Sequence, residues 1–332
     1  MSNQAPLADQ IKKLEAKTSK LIAAGKLDEA VAMLMPNHPK VLWDVGEQFF
    51  DVGDLAYAFV CWRKAVTLLP DDQYLQIRLI RALFDADKRA DALAVAMNFK
   101  LSVPGVDRSD LTAEEKMLYA VTENIAIVSP EGVAGLVRLT DHIVRHGIVG
   151  AFVECGVYRG GGVAIMMHAL MRRGDTSRDF YLFDTFAGMP APGERDVYAD
   201  GRSAHDEWKQ KLRPDGNSGW VVSTLDETQR FIRRTGYPVD RTHFVKGMVE
   251  DTIPGEAPGQ IALLRLDTDF FESTLHELDH LYPRLASGGV LIIDDYGAFK
   301  GSQLATDEYL TRMGLKLMLH RIDCNARVAI KP

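Results

Sequence analysis

From Gly150 onward the chain sets out five short apolar runs: "GAFVEC", "DFYLFD", "THFVKG", "IALLRLD" and "GGVLIIDD". Each is rich in β-branched or aromatic residues and is too short to be a helix of ordinary length. Stretches of helical character at 161–173, 224–236, 274–285 and 301–313 lie between or after them. Thr224 with Glu227, and Thr274 with Glu277, have the spacing of capping boxes that open such helices. Strand and helix in alternation predict an α/β domain with a parallel sheet covered on both faces. The segments "LKLMLHRI" and "ARVAI" are expected to add a hairpin at one edge. In sheets of this kind ligands bind beyond the carboxyl ends of the strands, so those ends are where chemistry is sought.

The residues there are mostly acids and glycines. The first run leads into "ECGVYRGGG", Glu154 to Gly162, whose glycines allow a sharp turn close to a ligand. The spacing is not the G-x-G-x-x-G of a pyrophosphate loop. Glu154 would repel a pyrophosphate but suits a cation. S-adenosylmethionine, with a sulfonium, an ammonium and no phosphate, fits that turn. Asp184 ends the second run, where an acid can accept both hydroxyls of a ribose. The third run ends in "KGMVEDTIP", which would place Met248 against an adenine face and Glu250 or Asp251 near its amine.

Asp267 closes the fourth run, with Asp269 two residues on; Asp294 and Asp295 close the fifth. Adjacent strands bring these carboxylates together, where they raise one another's pKa. A divalent cation relieves that repulsion. An all-oxygen set without cysteine or histidine favours Mg²⁺.

The first hundred residues read as helices only. "PKVLWDVGEQFFDVGDLAYAFVCWRKAVTLLPDD", Pro39 to Asp72, is similar to a tetratricopeptide repeat. Gly46 and Ala58 allow close helix approach, Gly53-Asp54 turns the chain, and Pro70 stops the second helix. A weaker copy follows with Asp87 in place of the turn glycine, and Ala23–Leu34 resembles a truncated earlier one. Residues 1–105 are therefore assigned to an all-α helical-repeat arm and 106–332 to the sheet domain. Such an arm can hold a protein partner, self-associate or only cap its neighbour. Helices before the sheet start at Thr112-x-x-Glu115 and at Ser129-Pro130, the latter ending before Gly147. His142 and His146 lie one turn apart at that helix end, without a nearby third ligand.

Composition removes other classes. A net charge of −7 argues against nucleic acid as a partner. Cys61, Cys155 and Cys324 form neither a disulfide framework nor a zinc pattern. No signal core or membrane-length apolar run is found, so a cytoplasmic protein without membrane association is expected.

Taken together, "VECGVYRGG", "FDTFAGMP", "DETQRFIRRTGYP", "FVKGMVEDTIP", "LLRLDTDFFEST" and "LYPRLASGGVLIIDDYGAFKG" resemble the macrocin O-methyltransferase family, in the family's order. The resemblance covers residues from about 120 to 300. It implies a Rossmann-like seven-stranded methyltransferase sheet and a Mg²⁺- and S-adenosylmethionine-dependent O-methyltransferase. It implies that Glu154, Gly156, Val157, Tyr158, Arg159 and Gly160 line the cofactor. Asp184, Thr185, Gly247, Met248, Asp251 and Asp267 complete that lining. Asp267, Asp294 and Asp295 would hold the metal. Relatives usually carry an aromatic residue where Met248 stands, and a cysteine and a basic residue near Ser302-Gln303. The repeat arm is not part of the usual pattern.

The expected reaction is methyl transfer to a hydroxyl of a small-molecule acceptor, a sugar or another vicinal diol that can chelate the metal. Asp267 is the first choice for the base, with Asp269 and His205 in reserve. The polar insertion 189–220 holds Tyr198, Trp208 and Trp220, which either close over the acceptor or anchor the loop. Two rivals remain: a nucleotide-dependent oxidoreductase, disfavoured by the glycine spacing and the acids, and a cofactor-binding scaffold without turnover.

Overall fold

The computed structural model describes residues 39–99, 101, 108–214, 216 and 218–332, with isolated positions before 39. The chain forms two compact units, Met1–Val121 and Thr122–Pro332.

The first unit is helical. α1 (Pro39–Asp51) and α2 (Leu55–Leu68) form one antiparallel pair, α3 (Gln73–Asp85) and α4 (Arg89–Asn98) the next. Gly53 takes φ +82 between the first pair, and Asp54 caps α2 by accepting the Tyr57 N–H at 3.3 Å. Gly46 is needed because a Cβ there would run into the Trp62 indole, whose Nε1 donates to the Trp43 carbonyl at 3.2 Å. Asp87 takes φ +57 in the second pair, the left-handed turn that a glycine makes in the first. The truncated copy at 23–34 falls largely outside the described residues, and the 105/106 boundary falls wholly outside them. α5 (Ala113–Thr122) begins with the expected box: the Thr112 N–H donates to Glu115 Oε2 at 2.8 Å, and the Glu115 N–H to Thr112 Oγ1 at 3.2 Å. The Arg81 guanidinium donates to the Ala120 carbonyl, which ties α5 to the helices before it.

The second unit holds β1 (Ala151–Cys155), β2 (Phe180–Asp184), β3 (Thr242–Lys246), β4 (Ile261–Leu266), β5 (Leu285–Ile293), β6 (His320–Arg321) and β7 (Arg327–Ile330). They make one sheet in the order β3-β2-β1-β4-β5-β7-β6. The first five are parallel; β7 runs antiparallel between β5 and β6. The edge hairpin is thus present. β1 and β4 are buried along their whole length, as central strands covered on both faces must be.

Helices α6 (Pro130–Arg145), α7 (Gly161–Arg172), α8 (Ala204–Gln210), α9 (Leu225–Arg234), α10 (Val249–Thr252), α11 (Phe271–Leu281) and α12 (Lys300–Arg312) complete the unit. Ser129 caps α6 with Pro130 in its first turn, and Thr224 with Glu227 forms a full capping box on α9. The Thr274–Glu277 box is not formed. α11 begins earlier, at Phe271, so both residues lie inside it and are buried. Asp196, from the insertion, caps that helix instead: its Oδ1 accepts the Phe271 N–H at 2.8 Å. Among the described residues no helix is long and apolar enough to cross a membrane.

Candidate active site

A cavity of about 340 Å³ opens at the carboxyl ends of β1, β2, β4 and β5. That volume is in the range of small-ligand sites. Its floor is the glycine turn after β1. Gly156 has φ +82, and a Cβ there would overlap the Asp267 carbonyl oxygen. Only glycine lets the β1 turn pass so close to the end of β4. Tyr158 follows at φ +51, and Gly160 at φ +87 starts α7.

Asp184 braces this turn from β2. Its Oδ2 accepts the N–H groups of Val157 and Tyr158, both at 2.8 Å, and its Oδ1 accepts the Phe186 N–H at 2.7 Å. Three of the four acceptor directions of this carboxylate are thereby taken, and the Thr185 hydroxyl approaches Oδ1 at 3.5 Å. Ser223 and Thr228 hold the turn from the other side, donating to the Tyr158 carbonyl at 2.6 and 2.8 Å.

The acids expected at the strand ends do converge. One carboxylate oxygen from each of Asp267, Asp294 and Asp295 lies within 4.8 Å of the others. Asp269, with φ +66, adds a fourth carboxylate to the same cavity. Burial pushes Asp267 and Asp295 well above the usual carboxylate range. Burial also lifts Asp269 to about 7.

One counter-charge in the floor was not anticipated. Arg265 lies on β4 beside Glu154 of β1, in register with it, and both side chains are 2% exposed. Its Nη1 meets Glu154 Oε1 at 2.7 Å and Asp267 Oδ2 at 2.7 Å; its Nη2 meets Asp294 Oδ1 at 2.8 Å. Burial nevertheless raises Glu154 to about 7, against the opposing pull of Arg265. Two buried carboxylate oxygens, Glu154 Oε2 and Asp295 Oδ2, have no hydrogen-bond partner. The signal for Arg265 was visible in "LLRLD": a lone charge inside a buried strand demands partners.

The upper wall comes from the insertion. Trp220, Phe270 and Phe299 are buried together, with Met189 and Tyr198 packed against them. Tyr198 lies 4.6 Å from Phe299 between ring centroids, and the Ala199 N–H donates to the Ala298 carbonyl at 2.7 Å. The insertion is therefore docked along the start of α12, while Tyr198 and Trp220 also line the cavity, so the two alternatives for these aromatics are not exclusive. Trp208 is tied to it through Nε1, which donates to the Met189 carbonyl at 3.2 Å. Ala126, Ile127 and Val128, just before α6, supply a wall that no motif had marked.

Of the residues expected around the cofactor, Glu154, Gly156, Val157, Tyr158, Asp184, Thr185, Gly247, Met248 and Asp267 line the cavity. Arg159, Gly160 and Asp251 do not. The Arg159 side chain points to the Asn124 carbonyl at 3.3 Å, while Gly160 acts through the backbone. His205 is also outside the lining; its ring stacks on Trp208.

The strand order, the glycine turn after β1 and the acids at the strand ends define a class I methyltransferase fold, the architecture built around S-adenosylmethionine. The macrocin O-methyltransferase (TylF) family model matches residues 123–330, more than half the chain, and the chain belongs to that family. It is similar to the 8-demethyl-8-(2,3-dimethoxy-alpha-L-rhamnosyl)-tetracenomycin-C 4'-O-methyltransferase of Streptomyces olivaceus, at 35% identity over 181 residues, 54% of this chain and 66% of that protein. The match thus spans just under two thirds of that relative. It is similar also to the mycinamicin III 3''-O-methyltransferase of Micromonospora griseorubida, at 30% identity over 189 residues, 57% of this chain and 71% of that one. Among solved structures the O-methyltransferase NovP superposes with a TM-score of 0.54 at 26% identity, over 62% of this chain and 82% of that chain.

Proposed function

We propose that this protein transfers a methyl group from S-adenosylmethionine to a hydroxyl of a small-molecule acceptor, with Mg²⁺ held by Asp267, Asp294 and Asp295. The acceptor class is a natural-product sugar or another vicinal diol. The observation that carries this reading is the meeting of Asp267, Asp294 and Asp295 at the strand ends, beside a buried arginine that holds Glu154, Asp267 and Asp294, with Glu154 Oε2 and Asp295 Oδ2 left unpartnered.

The donor set fits the metal. Three aspartates offer oxygen only, and the buried Asp295 Oδ2 has no other partner. When bound, such an ion lowers the pKa of a coordinated hydroxyl and orients it. The cofactor's fit rests on different residues. The free Glu154 Oε2 suits an ammonium, and the braced Val157–Tyr158 turn gives a fixed edge. Asp184 can take one ribose hydroxyl at Oδ1 in place of the distant Thr185 hydroxyl, and Gly247 and Met248 border the adenine end.

The chemistry is one displacement. The sulfonium–methyl bond breaks as the bond from acceptor oxygen to methyl carbon forms. S-adenosylhomocysteine leaves, and the hydroxyl proton passes to a base. Asp267 is proposed as that base because it is partly exposed to the cavity and lies beside the other two aspartates. Holding both reactants in line contributes through orientation. The aromatic wall of Tyr198, Trp220 and Phe299 excludes water from that contact. In the same reading the arm is a tetratricopeptide-like scaffold outside the chemistry, supported by the Gly46–Trp62 and Gly53–Asp54 arrangements.

Two measurements test the proposal. Calorimetry should detect S-adenosylmethionine binding by the purified chain. A panel of hydroxylated sugar derivatives, incubated with cofactor and Mg²⁺, should yield a product heavier by one methyl group. No cofactor binding under any metal condition would remove the reading.

A further inference from the structure

Arg265 touches two parts of the site that the proposed function treats separately. Glu154 belongs to the cofactor end, while Asp267 and Asp294 belong to the metal end. The guanidinium reaches all three at 2.7, 2.7 and 2.8 Å, and its Nε reaches Asp294 Oδ1 at 3.2 Å. It is 2% exposed, so water does not compete for these bonds. The register explains why this residue can do so. Arg265 lies opposite Glu154 across the β1–β4 ladder, and the Asp294 N–H donates to the Leu266 carbonyl as β5 ends. The three carboxylates therefore come from three neighbouring strands and meet at one planar fork.

We propose that Arg265 is a positioning residue for both ends of the site: it fixes the carboxylates that take the cofactor's ammonium and those that take the metal. This inference rests on the methyltransferase reading. A guanidinium presents its donors in a rigid plane, so its three partners are fixed relative to one another. An ammonium carries the same charge on one atom with three rotating donors, so it does not fix the three carboxylates in one plane. Charge and geometry can thus be separated by one substitution. If Arg265 were only a counter-ion for buried acids, lysine would serve the two ligands nearly as well.

The test uses the full chain and two probes, Mg²⁺ in the absence of cofactor and S-adenosylmethionine in the absence of metal. Binding is read by calorimetry, and folding by circular dichroism. Groups that orient metal ligands from behind typically change metal affinity by about 10–100-fold when replaced. For Arg265→Lys the expected result is a native spectrum with both affinities weakened about tenfold or more. A folded variant with both affinities within about twofold of wild type, or with only one weakened, overturns the proposal.

Glu154→Gln provides a second route should Arg265→Lys not fold, since it removes one acid and strands no cation. Glu154 is not among the proposed metal ligands. Its loss should still weaken Mg²⁺ binding, because Arg265 then turns wholly to Asp267 and Asp294. Equal Mg²⁺ affinity in Glu154→Gln and wild type overturns the coupling. A wild-type chain that binds neither probe sinks the methyltransferase reading itself, and a failure at Arg265 alone leaves that reading standing.

Discussion

The Asp184 carboxylate accepts the Tyr158 N–H at 2.8 Å, joining the end of β2 to a residue at φ +51 in the turn after β1. The same oxygen accepts the Val157 N–H at 2.8 Å. Asp184 therefore shapes the turn as well as facing the cavity. Hydrogen bonds to charged groups are worth about 1.5–3 kcal/mol each. Asp184→Ala should weaken S-adenosylmethionine binding by at least about tenfold, the equivalent of 1.4 kcal/mol. Calorimetry decides this, and an unchanged affinity would remove Asp184 from the binding site.

The insertion predicts a separate phenotype. Asp196 is 3% exposed; its Oδ1 accepts the Phe271 N–H and its Oδ2 the Gly193 N–H at 2.7 Å. A Cβ on Gly301 would collide with the same carboxylate, so the start of α12 is built around it. Asp196→Ala leaves the buried Phe271 N–H without an acceptor, at about 1–3 kcal/mol, and frees the exposed Gly193 N–H to water. Limited proteolysis should then cut within 189–220 faster than in wild type. Cofactor affinity should stay close to wild type, because the glycine turn does not use Asp196. Equal cutting rates would mean that the aromatic contacts alone hold the insertion.

Protons and metal should compete for the acidic floor. Burial raises the folded-state pKa of Glu154 and of Asp269 to about 7, above ordinary carboxylate values. Acids shifted upward favour the folded state below their unfolded pKa, near 4, and that contribution is lost as pH rises through 7. Without metal, these two groups therefore reduce stability between about pH 4 and 7. A divalent cation at Asp267, Asp294 and Asp295 needs deprotonated ligands and is favoured by a charged Glu154 and Asp269 beside them, so the increase in Tm on adding Mg²⁺ should be larger at pH 8 than at pH 6. Thermal melts with and without Mg²⁺ at both pH values measure it. An increase that is the same or smaller at pH 8 would contradict binding at these acids.

Much of the sheet was legible because parallel strands are buried on both faces and read as plain apolar runs. The strand-end acids were legible for the complementary reason: a charge that closes such a run has to lie at the sheet's edge. Thr274 and Glu277 misled because the capping pattern records local spacing, whereas the helix start was settled by a tertiary contact from Asp196. Arg265 stood in plain view inside "LLRLD", but its meaning depends on which strand is its neighbour, and that pairing is a property of topology. The wall at Ala126–Val128 carries no side-chain chemistry and becomes a site feature only where the chain enters the sheet domain. His205 was named for its chemistry alone; the short α8 turns its ring onto Trp208.

The central claim is methyl transfer at a metal held by Asp267, Asp294 and Asp295. The most direct measurement follows methyl transfer from labelled S-adenosylmethionine to an accepted sugar derivative, in chelator and after Mg²⁺ is restored. It is made for the wild type, Asp294→Asn and Asp267→Asn. Chelation should abolish transfer and Mg²⁺ should recover it. Asp294→Asn should recover at higher Mg²⁺, since what it loses is metal affinity. Asp267→Asn should stay slower by about 10²–10⁴-fold even at saturating Mg²⁺, the usual cost of a lost general base. Full transfer by the wild type in chelator would contradict the metal site, and full transfer by Asp267→Asn at saturating Mg²⁺ would contradict the assigned base.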